Sequence, residues 1–245
     1  MKIKLIRHAT FQIRYAGVEL LVDPMLSKAG SLPPTTNTPN QRSNPLVSLL
    51  HPDVILLTHL HRDHFDDEAV NRLPKHIPIL CQPPDQESLH KKGFMDVRPI
   101  NKQVSYKGIR FSRTGGQHAT GEIGQKMGPV SGFVLQAQGE PSLYLTGDTI
   151  WCPEVETALM TYRPEVVVVF AGAAQFLTGD PITMAKEDVR KLRQAVPNSE
   201  ITVAHMEVWN HCLLTREELK RDLADQGLIE GVWVPEDGEE REFFR

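Results

Sequence analysis

From the first residue onward, apolar and polar side chains alternate. Ile3 and Leu5 stand between Lys2, Lys4 and Arg7, and Phe11 and Ile13 between Thr10, Gln12 and Arg14. A period of two predicts strands over 2–8 and 10–15, and an Ala-Gly turn leads into a third over 18–23. Residues 27–45, SKAGSLPPTTNTPNQRSNP, then predict a long irregular loop of the kind that covers an active site as a lid. Beyond it, short apolar runs predict strands at 53–59, 77–81, 108–113, 131–138, 142–147, 165–170, 200–205 and 231–235. Helical patterns fall at 66–73, 84–93, 153–162, 183–196 and 215–227, with Gly93 and Gly227 as stops. A meander followed by strand–helix alternation, in both halves, predicts an α/β or α+β protein with mixed sheets covered by helices. No internal repeat stands out, and nothing after residue 45 reads as a boundary, so a single domain is expected over 1–245.

The run DVILLTH ends in an unusual way. It leads into THLHRDH, which places His59, His61, Asp63 and His64 within six residues, just ahead of a helix. Imidazole and carboxylate together suit a divalent ion such as Zn, Mn or Fe. A polar surface loop explains one histidine easily and four ligand-type side chains poorly. Three more predicted strands end similarly: RTGGQHATG brings His118, LYLTGDT brings Asp148 and ITVAHME brings His205. In open α/β sheets, ligands gather at the carboxyl ends of strands. Taken singly, each residue reads as a turn aspartate or a histidine bonded to a carbonyl. Taken together, they predict one metal centre.

THLHRDH matches the HxHxDH signature of the metallo-β-lactamase fold superfamily, which this chain resembles. Asp23 in LLVDP, His118, Asp148 and His205 follow in the order of that superfamily's other motifs, so the resemblance spans most of the chain. The opening RHATFQIRYAGVELLVDPML is similar, more narrowly, to lactonase-like hydrolases of the ascorbate-6-phosphate lactonase type. The resemblance implies a four-layer αβ/βα sandwich with two mixed β-sheets and a two-metal site between them. It implies that His59, His61 and His118 hold one ion, that Asp63, His64 and His205 hold the other, and that Asp148 bridges them. Asp23 would support the metal loop by hydrogen bonds without ligating. The implied cofactors are two divalent ions, Zn or Mn, with Fe also compatible.

Two such ions lower the pKa of a shared water toward neutrality, which points to a metal-dependent hydrolase of a small ester, lactone or phosphodiester. Asp63 and Asp148 are the expected catalytic carboxylates, and Asp63 could also orient water or pass a proton to the leaving group. The sequence has no GxSxG, no Walker loop and no strand-linked GxGxxG, so a serine nucleophile and a nucleotide cofactor lack support. Candidate substrate contacts are His8, Trp151, Glu207 and His211, with Asn210 in the same polar run HMEVWNH. The plainer readings are a half-buried strand histidine for His8 and packing for Trp151. His51, His76 and His90 read as surface, Cys152 as packing, and Arg42 as a solvated loop residue that could meet an anion.

Composition narrows the choice further. A net charge of −4 and a pI of about 6.2 give no basic surplus for nucleic acid or an anionic membrane. This weakens a nuclease or RNA-processing reading, as does the short span between Asp148 and His205. The ligand residues are also compatible with a mononuclear iron oxygenase on the same fold, and less so with a non-catalytic binding protein. No stretch approaches the ~20 apolar residues of a membrane span, and the alternating start is unlike a signal peptide. Cys81, Cys152 and Cys212 are too few and too scattered for a disulfide framework. The expectation is a cytoplasmic protein acting on a small molecule, with no nucleic-acid or membrane partner; a homo-oligomer is compatible with it.

Overall fold

The computed structural model describes residues 1–31 and 51–245. The alternating start forms β1 (Lys2–Arg7), β2 (Thr10–Tyr15) and β3 (Val18–Val22), paired antiparallel as a meander. From residue 32 the expected lid loop, Arg42 included, lies outside the described residues. The apolar run after it forms β4 (Val54–Leu56), parallel to β3. Asp66 caps α1 (Asp67–Arg72), its carboxylate accepting from the Ala69 amide at 2.8 Å. Then come β5 (Ile79–Cys81), a 3₁₀ turn at Pro83–Asp85, α2 (Gln86–Lys91) and β6 (Val97–Pro99). The expected helix at 84–93 is thus shorter, since two prolines at its start favour the tighter turn.

The second half opens with β7 (Gln103–Tyr106) and β8 (Ile109–Thr114), followed by α3 (Gly121–Met127), β9 (Gly132–Gln136) and β10 (Leu143–Leu145). It continues through α4 (Pro153–Tyr162), β11 (Val166–Phe170), α5 (Lys186–Ala195), β12 (Glu200–Ala204), α6 (Arg216–Asp225), β13 (Val232–Trp233) and β14 (Glu240–Glu242). Helix α6 begins at a capping box: the Glu218 amide donates to Thr215 Oγ1 at 3.2 Å, and the Thr215 amide donates to Glu218 Oε2 at 3.0 Å. Among the described residues, the strands make two seven-stranded sheets, ordered β14-β1-β2-β3-β4-β5-β6 and β13-β12-β11-β10-β9-β8-β7.

The side-chain period of two decides the layering. In β11, Val166, Val168 and Phe170 enter a core shared with Ile3, Leu5, Phe11, Ile13 and Leu56 of the other sheet. Their neighbours Val167 and Val169 face outward, under Val155 and Leu159 of α4, Val189 and Leu192 of α5, and Leu219 and Leu223 of α6. On the far side, Leu21, Ile55 and Ile79 pack under Ala69 of α1 and Leu89 of α2. The order is helices, sheet, sheet, helices. This is a four-layer sandwich of two mixed sheets, the architecture of the metallo-β-lactamase fold. Among the described residues, no helix is long and apolar enough to cross a membrane.

Candidate metal centre

Strands β1, β4, β8, β10 and β12 end along one rim of the sandwich, and the side chains just beyond them converge. His59, His61 and His118 form one group; His59, His64 and Asp148 a second; His8, Asp63, His64 and His205 a third. Within each, the ligand atoms lie within 4.8 Å of one another. The backbone is bent to achieve this. Asp23, His205 and Glu207 have φ of 43°, 66° and 62°, a region that non-glycine residues seldom adopt. Gly147, at φ 68°, lets the chain turn ahead of Asp148, and a Cβ there would stand 2.6 Å from the Ser131 carbonyl oxygen. A Cβ on Gly172 would stand 2.1 Å from the His205 carbonyl oxygen, so glycine is required at that approach.

Hydrogen bonds around the rings fix which nitrogen faces inward. Thr58 gives its hydroxyl proton to Asp23 Oδ2 at 2.7 Å, so at 3.1 Å it accepts from His59 Nδ1 and leaves the Nε2 lone pair free for a metal. His64 Nδ1 donates to Asp23 Oδ2 at 2.9 Å, and His118 Nδ1 to the Ile182 carbonyl at 2.8 Å. His61 is reversed: its Nε2 donates to the Met127 carbonyl at 2.9 Å, leaving Nδ1. The Thr58 amide adds a bond to Asp23 Oδ1 at 2.8 Å, so Asp23 supports a threonine and a histidine at once. Asp23→Ala is expected to weaken metal binding roughly 10- to 100-fold, as loss of a partner behind the ligands does, measured by competition with a chromogenic chelator.

Asp148 lies between the groups. Its Oδ2 is 3.2 Å from both His64 Nε2 and His205 Nε2, 3.5 Å from His118 Nε2 and 4.0 Å from His59 Nε2. Burial disfavours its charge, yet His205 and His64 hold its carboxyl well below the usual range. Asp63 behaves likewise, its burial outweighed by His64 and by bonds from His205 and His8. In turn, His64 is buried but pushed up to about 10 by Asp148, Asp63 and Asp23. Burial drives His59 well below its ordinary value, with His64 adding to the effect.

These residues fit divalent ions. Among the described residues, buried Asp148 Oδ1, His59 Nε2 and His64 Nε2 find no hydrogen-bond partner. Ligands about 2.0–2.2 Å from an ion stand roughly 3.3–3.6 Å apart at tetrahedral corners. Most of the Asp148 spacings fall in or near that interval, as a cluster shaped to hold metal would have them.

A cavity of about 300 Å³ opens onto the centre, lined by Asp63, His118, Asp148 and His205 on its floor and by Leu60, His61, Arg62, Met127, Ala174, Phe176, Ile182, Trp209 and His211 on its walls. His211 is therefore at the pocket, its ring stacked with Phe176 at 6.2 Å and 4°. Three expected substrate contacts are elsewhere. Trp151 lines a separate groove beside α4 and donates to Glu156 at 2.9 Å. Glu207 is not among the lining residues; Arg216 takes its carboxylate, partly through its amide at 3.1 Å. Buried Arg216 needs anionic partners, and Glu207 and Asp237 supply them. His8 is wholly buried, on Asp63. His51, His76 and His90 are exposed, and Cys152 is buried in packing, as expected. The pattern of the sequence does not mark the walls. Trp209 stands in the run HMEVWNH, where the ligand-type residues around it carry the stronger signal. Met127 and Ile182 carry no chemical signal at all.

Comparison with known proteins decides the family. The family described as "Beta-lactamase superfamily domain" matches residues 2–203. The chain belongs to the metallo-β-lactamase superfamily. Within this superfamily it is 38% identical over 254 residues to UPF0173 protein YddR of Bacillus subtilis, covering 99% of this chain and 100% of that one. It is 26% identical over 249 residues to a UPF0173 metal-dependent hydrolase of Azorhizobium caulinodans, covering 98% of each. Its structure is similar to that of isothiocyanate hydrolase from Delia radicum gut bacteria, with a TM-score of 0.94, 32% identity and 100% of both chains covered. The superfamily member described here is a metal-dependent hydrolase.

Proposed function

We propose that this hydrolase adds water to a small, uncharged electrophilic carbon that carries an apolar substituent. The cavity above the His/Asp floor carries this reading, because Leu60, Met127, Phe176, Ile182 and Trp209 form its walls. Arg62 is the one lysine or arginine among the described lining residues, a poor match for RNA or another polyanion. Lactones and small esters fit this description. So does an isothiocyanate, the substrate class in the name of the hydrolase with the 0.94 TM-score. With such a substrate, water would add across the C=N bond and C–N cleavage would release the amine and carbonyl sulfide.

His59, His61 and His118 would hold one divalent ion, Asp63, His64 and His205 a second, and Asp148 would serve both. A pair of such ions supplies a water with its pKa lowered toward about 7. Asp63, a carboxylate lining the cavity, would take up the proton of the attacking water and pass it to the leaving atom. His211, whose Nδ1 has no hydrogen-bond partner, binds the polar end of the substrate, and Trp209 and Phe176 hold the apolar end.

The test is a panel of aryl and alkyl isothiocyanates, lactones, esters and a phosphodiester with metal-loaded protein. Turnover of an uncharged substrate is expected, with KM raised roughly 10- to 100-fold in Trp209→Ala, the worth of one large buried side chain. Turnover of the phosphodiester alone would overturn the proposal.

A further inference from the structure

His8 follows β1 directly, and the ion assignment proposed for the centre gives it no part. Its backbone is left-handed at φ 57°, and its carbonyl accepts from the His205 amide at 3.1 Å. Its side chain is 0% exposed, so no substrate in the cavity reaches it. The ring lies over that of His205, with centroids 3.7 Å apart. Its Nε2 points at the centre, 3.2 Å from Asp63 Oδ2, while Nδ1 finds no hydrogen-bond partner among the described residues. The same carboxylate oxygen stands 3.3 Å from His205 Nε2 and 3.7 Å from His64 Nε2. Three imidazole nitrogens therefore surround one oxygen at spacings close to the roughly 3.3–3.6 Å edge of a tetrahedral metal site.

A neutral imidazole that only steadied Asp63 would need a single hydrogen bond. It would not need to share one oxygen with two other nitrogens, nor to be held by strained backbone on a neighbouring ligand's amide. We infer that His8 is a further metal ligand, its Nε2 joining Asp63, His64, His205 and the shared Asp148 around the second ion. The inference rests on the two-ion reading of the centre. It makes the second site the more enclosed of the two, with the first left to present a free position to the cavity.

A crystal structure of the zinc-loaded protein tests this directly. His8 Nε2 is expected within about 2.1 Å of the second ion. An ion more than about 3 Å away, well beyond any ligand bond, with Nε2 still hydrogen-bonded to Asp63, would overturn the inference. Metal titration of His8→Gln and His8→Asn gives a second measure. The second ion is expected to bind more than about 100-fold more weakly, beyond the usual effect of a residue that only supports a ligand. The ion at His59, His61 and His118 should be unchanged, which also reports that the variants are folded. Unchanged affinity for both ions would sink the idea. Wild-type protein that takes up one ion only, at the three histidines, would overturn it together with the two-ion reading, whatever the substrate screen shows.

Discussion

Stripping the protein with a chelator is expected to reduce hydrolysis to the buffer background, and adding Zn or Mn to restore it. Without the ions, the nucleophile is ordinary water with a pKa near 15.7, where ion-coordinated water would be near about 7. At neutral pH this costs many orders of magnitude in reactive hydroxide. The fold should survive, because the cluster offsets most of its own charge: His64 and His205, both raised above their ordinary value despite burial, are charged against Asp23, Asp63 and Asp148. Those protons must leave when metal returns. Uptake should therefore strengthen with each unit of pH until His64 loses its proton near about 10. The sign for the stripped protein is opposite. His64 has a raised folded pKa, so its stabilising charge is fully present below the unfolded value of about 6.5 and fades toward about 10. Activity and metal content, followed together across pH, check both statements. Activity that persisted in metal-free protein would remove the metal from the reaction.

The second large effect is expected at Asp63. Asn occupies the same volume but cannot relay a proton, so Asp63→Asn should lower kcat by roughly 10²- to 10⁴-fold, the usual worth of a positioned acid–base group. Because Asp63 is also a candidate ligand, metal content must be measured on the same sample. A variant that kept its metal and full kcat would rule out proton transfer through this residue. A variant that lost one ion would point instead to a holding role.

The clustering of these ligand-type residues was legible in the sequence because they are chemically rare in combination and each follows an apolar strand. His59, His61, Asp63, His64, His118, Asp148 and His205 all meet on one rim. The apolar run predicts a strand as far as His59, whereas β4 ends at Leu56. Leaving the sheet early frees the chain to bring His59 and His61 to one side without the alternation a strand imposes. Four elements left no pattern to read. Strand β6 is three residues long and ends in proline. Strand β7 lies on a sheet edge with only half-buried and exposed side chains, and β14 is exposed throughout. Helix α3 contains two glycines and buries no side chain, so neither propensity nor amphipathicity announces it. Trp151 and Glu207 show the opposite error. Nearness in sequence to a ligand does not set direction, and each found a partner away from the cavity.

The two sheets share one wiring plan. Each runs through three antiparallel pairs and then three parallel ones, β14-β1-β2-β3 followed by β4-β5-β6, and β7-β8-β9-β10 followed by β11-β12-β13. The strand that corresponds to β7 comes from the far end of the chain, where the Phe243 amide donates to the Met1 carbonyl at 2.8 Å. Joining those neighbours and opening the chain between β6 and β7 would give a circular permutant in which each sheet is built from one unbroken stretch. The residues of its candidate metal centre would then read His118, Asp148, His205, His8, His59, His61, Asp63, His64. The order in which this centre is spelled along the chain is a property of where the polypeptide is cut, and the centre itself is a property of the rim where the two sheets meet.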